Sequence, residues 1–383
     1  MDLILIIGII LTISALSCKT TDKIGLPVLV GFILIGVLIG NWFKFENTAG
    51  VNQICNFALL LIIFTGGFQT NFTEAGSVLA VSSVLSMAGT VLTAGLAGAF
   101  AYFVLRLEFY QAMLLGAVIS STDAASVFSV LRSKQMELKN NLNYMLEIES
   151  GSNDPFAYML TVMFMTLASG SCQNIVLLML LQIIVGIAAG FIFSKLGQFL
   201  INRLNVDIDG LYGALLCGTA FLIYGAAAQF GGNGFLAVYI GGIILGNGKL
   251  MYKGFLTRLF SAVSMLMQIM LFIVLGILCI PLSIAAVVGS GLLFAFFLFF
   301  IARPVIIFAL MKPFRRPLNE IALVSWAGFR GASSIVFSTY LLTAGLPYAE
   351  YVFSVVFFVC MLSVIIQGTF IVPVAKLCRL VDD

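Results

Sequence analysis

The charged residues that fall inside long apolar segments are the residues of this sequence whose types could do chemistry. The acids Asp123, Glu149 and Asp154 and the bases Arg303 and Arg330 lie in such segments. A charge at the centre of a membrane-spanning helix costs about 2.5 to 3.5 kcal/mol on insertion scales, so each one indicates a functional site. The structural alternative is that all five charges form ion pairs. Because three carboxylates face two guanidiniums, at least one acid lacks a permanent cationic partner.

Spacing separates two carboxylate environments along one of these segments. Glu149 and Asn153 are four residues apart and share one helix face, while Ser150 and Asp154 share the neighbouring face. A single helix therefore presents two acids to different surroundings.

The pairing of the buried charges follows from their depth. Arg303 lies about two turns from the predicted cytoplasmic end of its span, where its long side chain could reach water. We therefore assign Arg330 to Glu149 as a structural ion pair and leave Asp123 and Asp154 as open acids. Open, desolvated carboxyls could hold a proton at neutral pH or surrender it to an incoming cation. The chain has no histidine, so proton handling falls to carboxylates.

The elements that must position these residues are membrane-spanning helices. Hydrophobic residues make up 61% of the chain and charged residues 9%, which is too apolar for a water-soluble domain. Apolar runs of about 20 residues, long enough to cross the hydrocarbon core, recur along the chain. They predict an all-α polytopic membrane protein with thirteen spans: 2–18, 26–42, 52–68, 77–105, 110–131, 144–169, 174–200, 208–229, 232–246, 258–280, 284–311, 318–344 and 348–375.

The basic residues predict the orientation of these spans. Fifteen bases lie in loops after odd-numbered spans or at the C-terminus, whereas loops on the other face hold only Lys44 and Arg106. Under the positive-inside rule, the N-terminus lies outside a bacterial-type inner membrane and the C-terminus lies in the cytoplasm.

The odd number of spans also predicts inverted repeats. Spans one to six and eight to thirteen would run through the bilayer in opposite directions. Polar or glycine-rich interruptions fall in spans five and twelve, at residues 120–123 and 328–334. Such stretches are typical of helices that break at mid-membrane and expose backbone groups to a binding site.

Several classes of function are excluded by composition. The seven cysteines have no paired metal-ligand spacing, and the absence of histidine excludes His-ligated metals and a Ser-His or Cys-His catalytic pair. A net charge of +3 without a basic patch argues against a nucleic-acid partner. We expect no cofactor, and the expected surroundings are membrane lipid. An aromatic run predicts a lipid-facing or packing face; its members are Phe294, Phe296, Phe297, Phe299 and Phe300.

Three segments resemble the signature segments of monovalent cation:proton antiporters of the NhaP-type branch, particularly its potassium/proton antiporters. They are residues 121–125, 146–155 and 325–332, which include Thr122-Asp123 and Asn153-Asp154. A fourth familiar segment opens span two, at Lys23-Ile24-Gly25-Leu26-Pro27. The resemblance covers essentially the whole chain and implies an NhaA/NhaP-like fold, with crossing discontinuous helices, in a transporter for cell-membrane ion and pH homeostasis.

The resemblance also implies how the chain is divided. Residues 1–76 and 208–283 would form a dimerisation part of a homodimer, and residues 77–169 and 284–375 would form a mobile, ion-translocating core. Residues 170–207 would be a linker helix. Relatives in this branch frequently carry a cytoplasmic regulatory domain after the membrane part, so we expect such a domain or subunit beyond the C-terminus.

By resemblance, the site residues take separate roles in electroneutral exchange of K⁺ or Na⁺ for H⁺. Asp154 would carry the cation or the proton; Asp123, Thr122 and Ser150 would complete the cation shell, Asn153 would brace the crossing, and Glu149 would pair with Arg330. An Asn-Asp pair, rather than Asp-Asp, marks the electroneutral branch.

Two departures from the family pattern concern the edge of this site. Thr65 stands where relatives often carry an acid, and Ser333-Ser334 stand where proline often follows Arg-Gly-Ala. The first removes a charge and leaves the choice of ion open.

Two competing functions belong to other classes. A sodium-coupled symporter of an organic solute could use the same fold, but it would need a roomy polar or aromatic pocket that the sequence does not indicate. An intramembrane protease could use two membrane aspartates, but its usual Gly-x-Gly-Asp segment is absent. A serine protease built on Gly151-Ser152 would lack its histidine.

Overall fold

The computed structural model describes residues 8–9, 11–16, 28–40, 48–133, 136–171, 174–204, 208–279 and 281–381. These residues are almost entirely helical. The first predicted span is described only at 8–9 and 11–16, which are helical, and the familiar segment that opens span two lies outside the described residues.

The helices follow the predicted spans closely. In chain order they are α1 Val28–Gly40, α2 Thr48–Gln69, α3 Phe72–Ala75, α4 Leu79–Phe103, α5 Phe109–Ile119, α6 Ala124–Ser133, α7 Leu142–Ala168, α8 Ile175–Arg203, α9 Asp209–Gln229, α10 Gly234–Asn247, α11 Lys253–Ile277, α12 Pro281–Phe297, α13 Arg303–Met311, α14 Leu318–Trp326, α15 Ala332–Thr343, α16 Ala349–Leu362 and α17 Gly368–Leu377. Short π-helical segments, Leu298–Ala302 and Ser363–Gln367, join α12 to α13 and α16 to α17.

Within the described residues, seven helices are long and apolar enough to cross a membrane, and four shorter apolar helices accompany them. The predicted all-α membrane fold is confirmed, whereas the number of thirteen spans stays a prediction. Among the shorter helices, α10 has 14 residues and is therefore only about 21 Å long. Its N-cap Asn233 is consequently buried rather than at a membrane surface.

The two predicted interruptions are both present. Between α5 and α6 the helix breaks at 120–123, and between α14 and α15 it breaks at 327–331. Each break leaves the carbonyls of one half-helix and the N–H groups of the next without intrahelical partners. The side chains that satisfy these groups are the residues of the candidate site.

The helices pack in two groups. One contains α1, α2 and α8 to α11, in which α2 packs on α10 and α1 packs on α11; the other contains α4 to α7 and α12 to α17. Glycines permit the close approach in the first group, since a Cβ on Gly242 would lie 2.5 Å from the carbonyl oxygen of Phe64 and one on Gly276 would lie 2.9 Å from the Cα of Gly36. We call the first group the scaffold group and the second the core group.

Candidate functional site

The two helix breaks cross and are joined through their backbones. The N–H of Asp123 donates to the carbonyl of Phe329, with 2.8 Å between N and O. Arg330, which is completely buried, donates from Nη1 to the carbonyls of Ile119 and Ser120 at 2.8 Å and of Ser121 at 3.0 Å. These carbonyls are the C-terminal end of α5, where the helix dipole is negative and a cation is stabilising. Arg330 therefore caps the broken helix.

The structure corrects the predicted ion pair between Glu149 and Arg330. Glu149 accepts instead from Arg303, with 2.9 Å between Oε1 and Nη1, and both side chains are buried. The Arg303 side chain is buried inside the protein, where it packs against Gly328. Arg330 is held at the carbonyls of α5. Arg303, and not Arg330, is therefore the partner of Glu149, while the predicted pairing of Glu149 with a buried guanidinium remains.

The free N–H groups at the N-terminal end of α6 are bound by one side chain from the break itself and one from α7. Asp123 is its N-cap residue and accepts from the N–H of Ser126 at 3.3 Å and from its hydroxyl at 2.6 Å. The hydroxyl of Ser150 accepts from the N–H of Ala124 and donates to the carbonyl of Thr122, both at 2.8 Å. Ser150 thus ties α7 to the break.

Asn153 ties α7 to the same break through its amide. Its Oδ1 accepts from the N–H of Thr122 at 3.3 Å, and its Nδ2 donates to the Thr122 hydroxyl. An amide, unlike a carboxylate, can both donate and accept in this arrangement. The bracing position predicted for Asn153 is consistent with these contacts, since the side chain holds the backbone N–H and the hydroxyl of Thr122.

Asp154 lies between the two crossing breaks. Its Oδ1 accepts from the hydroxyl of Ser121, and its Oδ2 accepts from the hydroxyl of Ser333 at 2.8 Å. The residue is 7% exposed, and it makes no ion pair within the described part of the chain. Hydroxyls can accept as well as donate, so these partners can turn their oxygens towards a cation or a proton held by the carboxylate.

A cavity of about 550 Å³ leads to this carboxylate. The four residues predicted to hold the cation all line it, namely Thr122, Asp123, Ser150 and Asp154. Asn153 does not line it.

The opposite wall of the cavity comes from the scaffold group. It includes Ser261, Ser264 and Gln268, which recur at helical spacing on α11, and Gln69, whose Nε2 donates to Ser261 at 2.8 Å. Ser261 is exposed, so the cavity opens at this end. The ends of α7 and α11 nearest the opening adjoin loops that carry basic residues, among them Lys139 and Lys249.

The scaffold group and the core group also meet at the end of their interface that lies away from the cavity opening. Hydrogen bonds close the interface there. Asn52 donates to the Thr339 hydroxyl at 3.0 Å, and the hydroxyl of Tyr340 donates to Oδ1 of Asn56 at 2.7 Å. Deeper in, Asn233 donates to the carbonyl of Pro155 at 2.7 Å. We call these three contacts the asparagine seam; each joins a scaffold asparagine to the core group.

The structure adds three residues to the candidate site that the sequence analysis had given no part in it. Ser121 and Ser333 contact Asp154, but serines near a break give no signal of which acid they face. Glu147 lies near the start of a predicted span, where an acid gives no signal of function, yet it lines the cavity two helical turns from Asp154. Thr65 lines the same cavity and donates to the carbonyl of Leu61, so it supplies no charge there.

A family profile and individual relatives agree on the class of protein that this chain is similar to. Residues 8–377 match the family profile described as "Sodium/hydrogen exchanger, transmembrane". The K(+)/H(+) antiporter NhaP of Alkalimonas amylolytica is 34% identical over 98% of this chain and 67% of its own length. The K(+)/H(+) antiporter NhaP2 of Shewanella oneidensis is 32% identical over the same shares.

A solved structure shares the fold. The sodium proton antiporter MjNhaP1 from Methanocaldococcus jannaschii, at pH 8, superposes with a TM-score of 0.83 over 96% of this chain and 100% of its own, at 22% identity.

Proposed function

From the sodium/hydrogen exchanger family, to which this chain belongs, and from its NhaP-type relatives we propose that the protein exchanges a monovalent cation for a proton across a membrane by alternating access. It is a transporter rather than an enzyme. The relatives are antiporters, which gives the symporter alternative no support.

The observation that carries the mechanism is the isolation of Asp154. It is a buried carboxylate at the inner end of an open cavity, and among the described residues its two oxygens accept hydrogen bonds only from hydroxyls. The other buried acid of α7, Glu149, is neutralised by Arg303. Asp154 is therefore the acid that an incoming cation or proton can neutralise, and we assign it as the shared transport site.

Charge counting supports exchange of one cation for one proton. Glu149 and Arg303 cancel, and Asp123 and Arg330 stabilise the two sides of the break between α5 and α6. The group of five charges is then left with one negative charge, on Asp154. Loading with either a proton or a monovalent cation gives the same neutral site, so a full cycle moves no net charge. The empty site would carry its charge through a low-dielectric barrier, which is slow and limits leak.

The cation shell we propose is Asp154 with Asp123, the Thr122 backbone and Ser150. All four line the cavity, which supports the assignment. In this conformation Ser150 also bridges the break, so cation binding would use the second lone pair of its hydroxyl. The names of the relatives that are 32–34% identical favour K⁺ as the first cation to test, with Na⁺ as the second.

The moving part we propose is the core, residues 77–169 and 284–375. It would slide against a dimerisation part, residues 1–76 and 208–283, with residues 170–207 as the linker helix. The separate packing of the scaffold and core groups supports this division. We further propose a homodimer in the inner membrane, with the N-terminus outside and the C-terminus cytoplasmic. The distribution of the loop bases supports this orientation.

The decisive test replaces Asp154 by asparagine. Asp154→Asn keeps the size of the side chain but removes its charge and its titration. We expect purified Asp154→Asn in proteoliposomes to lose cation-driven proton flux, while Asp209→Asn, the same change at an exposed position of α9, retains it. Wild-type flux in a correctly folded Asp154→Asn protein would refute the assignment.

The stoichiometry has its own test in voltage-clamped liposomes. Each elementary charge moved feels about 2.3 kcal/mol per 100 mV, and one pH unit is worth about 1.36 kcal/mol. An exchanger of two protons for one cation would therefore shift its reversal pH gradient by about 0.8 units per 100 mV. We expect no shift, and a shift of that size would exclude one-for-one exchange.

A further inference from the structure

An apolar groove lies on the outside of the core group, apart from the transport cavity. It has a volume of about 720 Å³, and we call it the aromatic groove. Its walls are Phe300, Val305 and Phe308 from the π-helical segment and α13, and Leu318, Ile321 and Trp326 from α14.

The groove faces outward from the protein. Phe300 is 51% exposed, Phe308 is 47% exposed and Leu318 is 62% exposed, although all three are strongly apolar. Apolar side chains exposed to this extent in a membrane protein contact acyl chains. The shape is concave because α12 and α13 are joined by the π-helical segment Leu298–Ala302, and π-helical turns often occur at functional sites.

Two bases stand at one end of the groove. Lys312 is one helical turn beyond Phe308, with its Nζ 6.0 Å from the Phe308 ring centroid, and Arg315 lies in the turn before Leu318. Both are exposed, and neither forms an ion pair within the described part of the chain. Arg316, by contrast, contacts Glu320 at 3.4 Å.

We propose that the aromatic groove binds an anionic phospholipid, with an acyl chain between α13 and α14 and the phosphate group on Lys312 and Arg315. Basic sites at the cytoplasmic end of grooves between membrane helices suit anionic lipid head groups, and each base near a membrane surface strengthens binding about fivefold. A second copy of the chain is a poorer occupant, because a two-fold contact would bring the same bases towards their symmetry mates.

The groove is connected to the crossing of the broken helices. The indole N–H of Trp326 donates to the carbonyl of Gln367 at 3.1 Å, and Gln367 Nε2 donates to the carbonyl of Trp326 at 2.9 Å. Ser363 donates to Gln367 Oε1 at 2.5 Å and accepts from the backbone N–H of Arg330 at 2.8 Å. A lipid against Trp326 would therefore contact the first member of a hydrogen-bonded chain that ends at the transport site.

The tryptophan in the groove supplies a direct binding test. The sequence has two tryptophans, so Trp42→Phe leaves Trp326 as the sole fluorescent indole. Brominated acyl chains quench tryptophan only on contact. Purified Trp42→Phe protein is reconstituted in vesicles of phosphatidylcholine with increasing fractions of brominated phosphatidylglycerol or, separately, brominated phosphatidylcholine. We expect the anionic lipid to quench Trp326 with at least about fivefold higher relative affinity.

Matched variants locate the head-group site. Lys312→Gln with Arg315→Gln should remove the preference, whereas Lys253→Gln with Arg258→Gln, two exposed bases of α11, should retain it. Equal quenching by both lipids in the native groove would overturn the proposal. It would also be overturned if the preference survived the first double variant, or if no lipid quenched Trp326 because another copy covered it. Circular dichroism and gel filtration establish that each variant is folded.

Discussion

The buried pair of Glu149 and Arg303 provides a test of the site's electrostatics that does not depend on transport. Each side chain is 3% exposed, and the two are joined at 2.9 Å. Arg303 has no other side-chain partner, since its Nε and Nη2 are unsatisfied within the described structure. Arg303→Met therefore leaves a carboxylate buried without a cation, and Glu149→Gln leaves the guanidinium without its anion. Breaking a buried pair from one side costs about 3 to 5 kcal/mol.

The double variant separates pairing from simple loss of packing. Glu149→Gln with Arg303→Met strands no charge, so its cost should be close to that of one single variant, which gives a coupling energy of about 3 kcal/mol. The matched cycle uses Arg330→Met with Glu149→Gln. Because Arg330 donates to backbone carbonyls and not to Glu149, this second cycle should show a clearly smaller coupling energy.

Unfolding in detergent micelles, followed by far-UV circular dichroism against denaturant, measures all six proteins. A coupling energy in the Arg303 cycle that clearly exceeds the one in the Arg330 cycle is the expected result. The opposite pattern would restore the pairing predicted from sequence. Additivity within about 0.5 kcal/mol in both cycles would refute the reasoning altogether.

Two further predictions concern the crossing and the asparagine seam. A Cβ on Gly331 would overlap the side chain of Asp123, so Gly331→Ala should abolish cation-driven proton flux, while Gly218→Ala, where a Cβ meets nothing within 4 Å, should not; retained flux in the first would contradict the tight crossing. Tyr340→Phe removes the hydroxyl that donates to Asn56, a bond worth about 1 kcal/mol, so amide hydrogen exchange in the surrounding turns of α2 should be about fivefold faster. Unchanged exchange would show that this contact does not hold the end closed.

The features that could be predicted from the sequence are those that depend on the free energy of moving a residue from water into the membrane. Apolar length and the cost of buried charge predict the spans, and a run such as Ser120–Asp123 inside an apolar segment predicts a broken helix, as observed. The same reasoning brings out Asp154 and Glu149, because a carboxylate inside a span stands out whatever its neighbours are.

The partners of these charges could not be predicted, because they depend on how deep each helix lies and which face it turns inward. Arg303 is near the end of an apolar segment, so sequence placed it close to water, yet it reaches Glu149. The aromatic run shows the same limit. Phe294 is buried and Phe297 stacks on Phe100, with 4.0 Å between ring centroids, whereas Phe296 and Phe300 are exposed. One run of similar residues therefore serves both packing and the membrane-facing surface.

The backbone links at the crossing have a consequence for where movement can occur. Arg330 holds three consecutive carbonyls of one broken helix, and the N–H of Asp123 is bonded to Phe329 of the other, so neither break can shift without losing bonds that water cannot replace at this depth. The interrupted backbone of the two helices is thus tied by hydrogen bonds from the opposite helix. A mechanism in which the half-helices at a break moved apart would have to break those hydrogen bonds in every transport cycle. The arrangement instead favours a carrier in which the ion stays bound to the same residues. Sliding of the scaffold group past this rigid site then determines which side of the membrane the site faces.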